Sequence, residues 1–156
     1  MEPLRLRRET FAAITAHAER EFPDECCGFV LADSEVEELR PISNIQNRRH
    51  AQDPGAFVRN ARTAFLMDPG QMAAVLREAE LRKLNIKVIY HSHPDHDAYF
   101  SATDRVRACS FDPEEPDYPE TTQLVLSVHA GRFDKAAAFA WDDASKQFVE
   151  TPLVVQ

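Results

Sequence analysis

Polar side chains that could bind a metal are concentrated in VIYHSHPDHDAYFSATD, residues Val88 to Asp104. His91 and His93 lie two residues apart on or just after a predicted strand, so their side chains point to the same side. Asp104 begins a predicted helix, and the intervening loop can bring its carboxylate back to the imidazoles. Two histidines and one carboxylate form the three-ligand set of a catalytic zinc ion, which keeps its fourth position for water. The alternative is a solvated loop that is rich in histidine.

Each of these residues also has an ordinary structural interpretation. A histidine at the end of a strand is often a hydrogen-bonded polar residue and nothing more. Ser101 with Asp104 is a variant of the capping box that begins many helices. Their joint occurrence in one order and spacing favours the metal site.

That order resembles the signature of a known family. HSHP followed by six residues and then SATD is similar to the His-x-His-Pro and Ser-x-x-Asp signature of the JAMM metalloproteases, the active MPN or JAB domains. Upstream, PDECCGFVL resembles the Pro-x-Glu-x-Cys-Gly context of the same family and places Glu25 at its glutamate. The resemblance covers roughly residues 4 to 142 and is greatest to small single-domain prokaryotic members. Two departures flank the expected substrate site: Phe100 replaces a common proline, and the segment 45–64 is longer than in minimal members.

The resemblance implies a zinc enzyme. By this pattern His91, His93 and Asp104 hold Zn²⁺. Glu25 then acts as general base on the metal-bound water, and Ser101 helps to stabilise the tetrahedral oxyanion. Zinc lowers the pKa of its water to about 7, and a glutamate whose pKa is raised can take that proton and return it to the departing amine. Without the family pattern, Glu25 is an ordinary acid at a helix-to-strand turn.

The resemblance also implies a substrate class. Relatives are zinc (iso)peptidases of the omega-peptidase type that cut after the C-terminal glycines of a ubiquitin-like or sulfur-carrier β-grasp protein, and E1-like and E2-like proteins are further partners in such pathways. Deconjugation or processing of a modifier is the favoured interpretation. The alternatives are a peptidase that releases cysteine from a sulfur-carrier protein, a non-catalytic MPN-type scaffold and, more weakly, a phage-tail role directed at the cell wall. The intact motif residues count against the scaffold.

Other histidines and acids are interpreted as bystanders. Asp95, His96 and Asp97 lie between the halves of the motif and are expected at the pocket rim, and His50 and His129 are given the same interpretation. The acidic stretch 112–120 is expected to be a solvated loop.

Composition narrows the class of protein. A chain of 156 residues with 44% hydrophobic and 28% charged residues predicts one globular domain over residues 1–156. The net charge of -8 argues against nucleic-acid binding through phosphate contacts. No apolar run approaches the roughly 20 residues of a membrane span, and the N-terminus lacks the apolar core of a signal peptide. Three cysteines, an odd number, argue against a disulfide framework, so a cytoplasmic protein is expected.

Hydrophobic periodicity predicts the elements that must position the motif. In chain order they are a strand at Leu4 and Leu6, a helix ending at Pro23, a hairpin of CCGFVLA and VEELRPISN, an irregular segment 45–64, a strand AFLM, a helix capped by Asp68, a buried strand IKVIYHSH, a helix beginning at SATD, and strands TQLVLSVH, AAAFAWD and FVETPLVV. The expected fold is α/β, with one mixed central sheet and about three helices, and the resemblance implies the cytidine-deaminase-like MPN/JAB fold.

Overall fold

The computed structural model describes all 156 residues, which form four helices and eight strands. The helices are α1 (Arg8–Glu21), α2 (Gln46–Gln52), α3 (Pro69–Arg82) and α4 (Ala102–Ala108). The strands are β1 (Leu4–Leu6), β2 (Cys27–Ala32), β3 (Glu37–Ile42), β4 (Asn85–Pro94), β5 (Thr122–His129), β6 (Arg132–Asp142), β7 (Gln147–Thr151) and β8 (Leu153–Val155). None of the helices has the length and apolar character needed to cross a membrane.

The central sheet contains six strands in the order β3-β2-β4-β5-β6-β7. Only β4 and β5 run parallel, and every other pair is antiparallel, which confirms the predicted mixed α/β sheet. In addition to this central sheet, β1 and β8 form a separate two-stranded parallel sheet, and α2 is a short fourth helix beside the three that were expected. The predicted strand FVETPLVV is divided at Pro152, which has no N–H to donate to a ladder.

Alternating side chains of β4 enter two different cores. Val88 and Tyr90 belong to the core that α1 covers, together with Ile14 and Ala18 of that helix. Ile89 points to the other face, where Val75 and Ala79 of α3 pack. The strand is buried from Val88 onward, as its apolar run predicts. His91 and His93 therefore project on the α3 side of the sheet, two and four residues beyond Ile89.

Tyr90 explains the glycine of the Glu-x-Cys-Gly motif. Gly28 lies opposite Tyr90 across the β2–β4 ladder, and a Cβ atom at Gly28 would lie 2.4 Å from the Tyr90 hydroxyl. The Tyr90 hydroxyl in turn lies 2.7 Å from Nδ1 of the buried His17 on α1. Glycine therefore lets the tyrosine ring cross the sheet surface to reach the helix.

The segment between β3 and α3 differs from expectation at two places. AFLM, residues 64–67, is not a strand, because Met67 forms only an isolated bridge to Asn44. The Asn44 side chain replaces a neighbouring strand: its Oδ1 accepts a hydrogen bond from Leu66 N at 3.0 Å, and its Nδ2 donates to Ala64 O at 3.2 Å. The expected irregular stretch 45–64 contains α2, in which only Gln46 is buried. A helix of seven residues with one buried side chain leaves no apolar period in the sequence.

The remaining predicted elements are confirmed. The hairpin of β2 and β3 turns at Asp33, whose Oδ1 accepts hydrogen bonds from Glu35 N and Val36 N, both at 2.8 Å. The α3 helix begins after Asp68, whose side chain accepts from Gln71 N at 3.0 Å, with proline at the first helical position. All three cysteines are free and buried.

Candidate metal and hydrolytic site

The end of β4 and the first turn of α4 bring three ligand atoms together. Nε2 of His91 and Nε2 of His93 lie 3.2 Å apart. Asp104 Oδ2 lies 3.1 Å from the first of these atoms and 3.2 Å from the second. The three residues are buried, with 0%, 6% and 7% of their surfaces exposed. Of the predicted site residues, the structure therefore unites the three expected ligands.

Local contacts orient each ligand. His93 Nδ1 lies 2.8 Å from the Asp97 carbonyl oxygen, which can only accept, so Nδ1 carries the hydrogen and Nε2 presents a lone pair. The His91 ring stacks on Phe65 with the ring centroids 4.8 Å apart. Ser101 and Asp104 form the predicted capping box: Asp104 N donates to Ser101 Oγ and Ser101 N donates to Asp104 Oδ2, both at 3.0 Å. Helix capping therefore also holds the carboxylate toward the histidines.

This donor set fits a zinc ion. Donors bound tetrahedrally at about 2.0–2.2 Å lie roughly 3.3–3.6 Å apart, slightly more than the 3.1 and 3.2 Å between these ligand atoms. Burial opposes ionisation of Asp104, but the two imidazoles and the Ser101 amide outweigh it and hold the pKa of this carboxyl well below its usual range. His93 Nε2 and Asp104 Oδ2 present lone pairs beside Nε2 of His91, whose own Nδ1 has no hydrogen-bond partner. Nitrogen with carboxylate oxygen is a ligand combination typical of zinc.

Glu25 lies beside this cluster, immediately before β2. Its backbone N donates to the Ala61 carbonyl at 2.7 Å, and its carbonyl accepts from Asn44 Nδ2 at 2.9 Å. The side chain is buried and its Oε1 has no hydrogen-bond partner. Burial raises the pKa of Glu25 to about 8; the charge of His93 opposes the shift and that of Asp104 adds to it. A carboxyl in this environment can hold or release a proton near neutral pH.

A cleft of about 480 Å³ opens beside these groups. Its lining includes Glu25, Arg59, Thr63, His93, His96, Tyr99, Ser101 and Asp104. His96 lies at the exposed rim as expected, and Asp95 and Asp97 are exposed. Arg59 and Thr63 were not identified from sequence, although the length of the segment 45–64 pointed to this region. They come from an irregular stretch without a motif, so only the fold brings them to the cleft.

The other histidines stay apart from the ligand set. His50 Nδ1 lies 2.7 Å from the Phe57 carbonyl oxygen, and His129 Nε2 lies 3.8 Å from Asp134 Oδ2. The acidic residues of the stretch 112–120 are exposed, as expected, except that Asp117 is half-buried and accepts hydrogen bonds from Ser110.

Comparison with known proteins agrees with this geometry. Residues 7–131 match the model of a family described as prokaryotic homologues of the JAB domain. The chain belongs to this family. A JAB1/MPN domain protein from Archaeoglobus fulgidus shares the fold, with a TM-score of 0.51 and 14% sequence identity over 96% of this chain and 98% of that one.

Two relatives of this JAB-domain protein have names that describe an activity. A CysO-cysteine peptidase from Mycobacterium tuberculosis is 37% identical over 99 residues, which cover 64% of this chain and 61% of the relative. A desampylase from Haloferax volcanii is 35% identical over 89 residues, which cover 55% of each chain. The matches thus span less than two thirds of either relative.

Proposed function

We propose that this protein is a zinc-dependent peptidase that hydrolyses the amide bond after the C-terminal glycines of a ubiquitin-like or sulfur-carrier β-grasp protein. The observation that carries the proposal is the convergence of His91 Nε2, His93 Nε2 and Asp104 Oδ2 beside the buried, unpartnered carboxyl of Glu25. The names of the mycobacterial and haloarchaeal relatives support a peptidase rather than a scaffold. The free, buried cysteines support placing the protein in the reducing cytoplasm.

His91, His93 and Asp104 would hold the zinc ion, which when bound supplies Lewis acidity that activates water and polarises a carbonyl group. Glu25 accepts the proton of the attacking water and delivers it to the departing amine. The C–N bond breaks, the hydroxyl oxygen remains on the acyl carbon, and the amine leaves with the proton. The raised pKa of Glu25 makes its carboxylate a stronger base than an ordinary glutamate and lets the carboxyl hold the proton until the amine departs.

Ser101 supplies the remaining polar group of the cleft. Its Oγ accepts a hydrogen bond from Asp104 N, which leaves its own O–H hydrogen available to donate. We assign this hydroxyl to the oxygen that becomes negative as the carbonyl carbon turns tetrahedral. Capping the helix and donating to the oxyanion use different parts of the same hydroxyl, so the two roles are compatible.

A Gly-Gly tail suits this cleft. Glycine lacks a Cβ, so its backbone can approach a buried cluster closely, and His91 and His93 have almost no exposed surface. Larger residues next to the scissile bond would be kept away from these atoms. The proposed partners are therefore small carrier or modifier proteins with flexible diglycine ends, and E1-like and E2-like enzymes that would attach them.

The test is a cleavage assay with a metal control. The zinc-loaded protein is incubated with a β-grasp carrier whose Gly-Gly end is extended by one residue, and with the same carrier joined through Gly-Gly to a lysine side chain. We expect mass spectrometry to show cleavage of at least one conjugate after the second glycine. A chelator should stop the reaction, and added zinc should restore it. Cleavage that persists in chelator, or a purified protein that neither binds zinc nor cleaves either conjugate, would refute the proposal.

A further inference from the structure

A second cavity also borders the ligand cluster. It has a volume of about 240 Å³ and touches His91 and Asp104; we call it the inner cavity. Its apolar wall includes Phe29, Phe65, Met67, Ile89 and Phe100. Pockets for drug-sized ligands measure roughly 300–1,000 Å³, so the inner cavity has the size for one small molecule, such as a single amino acid.

Arg107 places a cation on this apolar wall. It lies three residues after Asp104 on α4, so the two side chains are neighbours on one helix face. Its guanidinium stacks on the Phe65 ring at 4.4 Å from the centroid. It forms no ion pair with any carboxylate of the chain, and burial lowers its pKa, although the charges of Asp104 and Glu25 oppose that shift. The guanidinium is half-buried and has no carboxylate partner in the chain, so an anionic ligand in the inner cavity would supply one.

Gln123 adds a second unsatisfied group. It is 6% exposed and lines the inner cavity. On β5 it lies beside Ile89 in the β4–β5 register, so it shares a sheet face with His91. Its carboxamide makes no hydrogen bond to the chain, whereas buried polar side chains are nearly always bonded. The guanidinium and the carboxamide together match the oxygens of a carboxylate.

Asp117 also lines the inner cavity, but its carboxylate is not the partner of Arg107. Its Oδ1 accepts from Ser110 N at 3.0 Å, and its Oδ2 accepts from Ser110 Oγ. These bonds fix the loop after α4 and leave the Arg107 guanidinium without a carboxylate partner.

We propose that Arg107 and Gln123 bind the α-carboxylate of a departing amino acid in the inner cavity. This inference rests on the proposed function and specifies its amine side. The substrate is then a carrier protein whose last glycine is joined to the α-amino group of one amino acid with an uncharged side chain. A lysine isopeptide presents only methylene groups near the scissile nitrogen and has no carboxylate there, so it leaves Arg107 unpaired.

The experiment varies only the carboxylate. A β-grasp carrier ending in Gly-Gly is extended by one alanine or one cysteine, each as the free acid and as the carboxamide, and a lysine isopeptide conjugate is included. The wild-type protein is compared with Arg107→Gln, Arg107→Lys and Gln123→Leu. Arg105→Gln is the matched control, because Arg105 lies on the same helix but donates to the Pro113 carbonyl and stacks on Trp141. Thermal unfolding of each variant monitors folding.

The wild-type protein should cleave the acid about 10- to 100-fold more efficiently than the carboxamide, in line with the strength of a charged hydrogen bond. Arg107→Gln should remove the preference for the acid by lowering kcat/KM for the acid alone, and Arg107→Lys should restore part of that preference. Gln123→Leu should reduce the preference for the acid. The control Arg105→Gln should keep the wild-type preference. Equal cleavage of acid and carboxamide, preference for the isopeptide, or equal loss of both substrates in Arg107→Gln would overturn the inference while leaving the peptidase intact.

A binding measurement separates the inference from the proposed function. The Glu25→Gln variant is titrated with the uncleaved acid and carboxamide conjugates in the presence of zinc. Tighter binding of the acid, which disappears on adding Arg107→Gln, supports the cavity assignment even if no conjugate is turned over. Equal affinities would reject it. If the protein neither binds zinc nor cleaves any conjugate, the proposed function is rejected, and the binding comparison still decides whether the inner cavity takes a carboxylate.

Discussion

At the scale of single residues, His93 is oriented by a backbone carbonyl, and Asp104 is oriented by the amide that caps its own helix. His91, His93 and Asp104 follow from the motif, and the structure brings their ligand atoms within 4.8 Å of one another. The Asp97 carbonyl that fixes the His93 tautomer could not be predicted, because a backbone acceptor leaves no trace in residue type. The position of Arg107 could not be predicted either. In the sequence it is an arginine at helical spacing from Asp104, as on any solvated helix face, and only its stacking over Phe65 distinguishes it.

Substitutions of Glu25 and His91 are expected to have different effects on zinc binding and on cleavage. Glu25→Gln keeps the shape and the ligand set but cannot accept a proton, so zinc content should stay near that of the parent while the cleavage rate falls about 100- to 10,000-fold. His91→Ala removes a ligand from a fully buried cluster and should lose both zinc and cleavage. Elemental analysis and the cleavage assay on the same preparations measure both. Parent-level cleavage by Glu25→Gln would disprove the assignment of the base.

Individual helices and strands could be predicted where their signals were local. Asp68 with Pro69 begins α3, and Ser101 with Asp104 begins α4, because caps depend on neighbouring residues. AFLM was predicted as a strand from its apolar run, but its backbone groups bond to the Asn44 side chain, about twenty residues earlier in the chain. No pattern within four residues reveals such a distant partner.

The start of α4 offers a test that separates stability from catalysis at Ser101. Ser101→Ala removes the cap and should lower the free energy of unfolding by about 1 kcal/mol. Ser101→Gly should cost only a few tenths of a kcal/mol, because glycine is tolerated at this position. Both lose the hydroxyl, so both should lower the cleavage rate by about 100- to 1,000-fold. Urea denaturation and kcat measurements decide the matter: if the rate follows stability across the two variants, the hydroxyl is only a cap.

At the scale of the whole molecule, the central sheet separates the candidate site from the hydrophobic core that α1 covers. The strand order could not be predicted, since it depends on which strands pair over long distances, and the N- and C-terminal strands β1 and β8 pair outside the main sheet. Because successive side chains of β4 point to opposite faces of the sheet, His91 faces the ligand cluster and Tyr90 faces α1. The close Gly28–Tyr90 contact and the Tyr90–His17 bond anchor the strand from behind. Support for the proposed metal ligands therefore extends through the sheet to α1.

His17 makes this support sensitive to pH. Burial lowers its pKa, Glu21 opposes that shift and Arg20 adds to it; Nε2 lies 3.7 Å from Glu21 Oε1, and Nδ1 faces the Tyr90 hydroxyl. Above pH 7.5 His17 is neutral in both folded and unfolded chains and has no effect. As pH falls below about 6.5, the unfolded chain binds the proton more readily, so stability is lost. The loss can reach about 1.4 kcal/mol at pH 5.5, the limit for one group over one pH unit.

The prediction is a difference between two pH dependences. Urea denaturation of the zinc-loaded wild type and of zinc-loaded His17→Gln is measured at pH 7.5 and at pH 5.5. The wild type should lose more free energy of unfolding over this interval, because glutamine does not titrate, while the metal ligands contribute equally to both proteins. At pH 7.5 the variant should have the lower free energy of unfolding, since glutamine cannot reproduce the imidazole packing against Tyr90. The free energies of unfolding of the two proteins should therefore converge at pH 5.5. Parallel curves would mean that His17 is protonated equally well in the folded and unfolded chains.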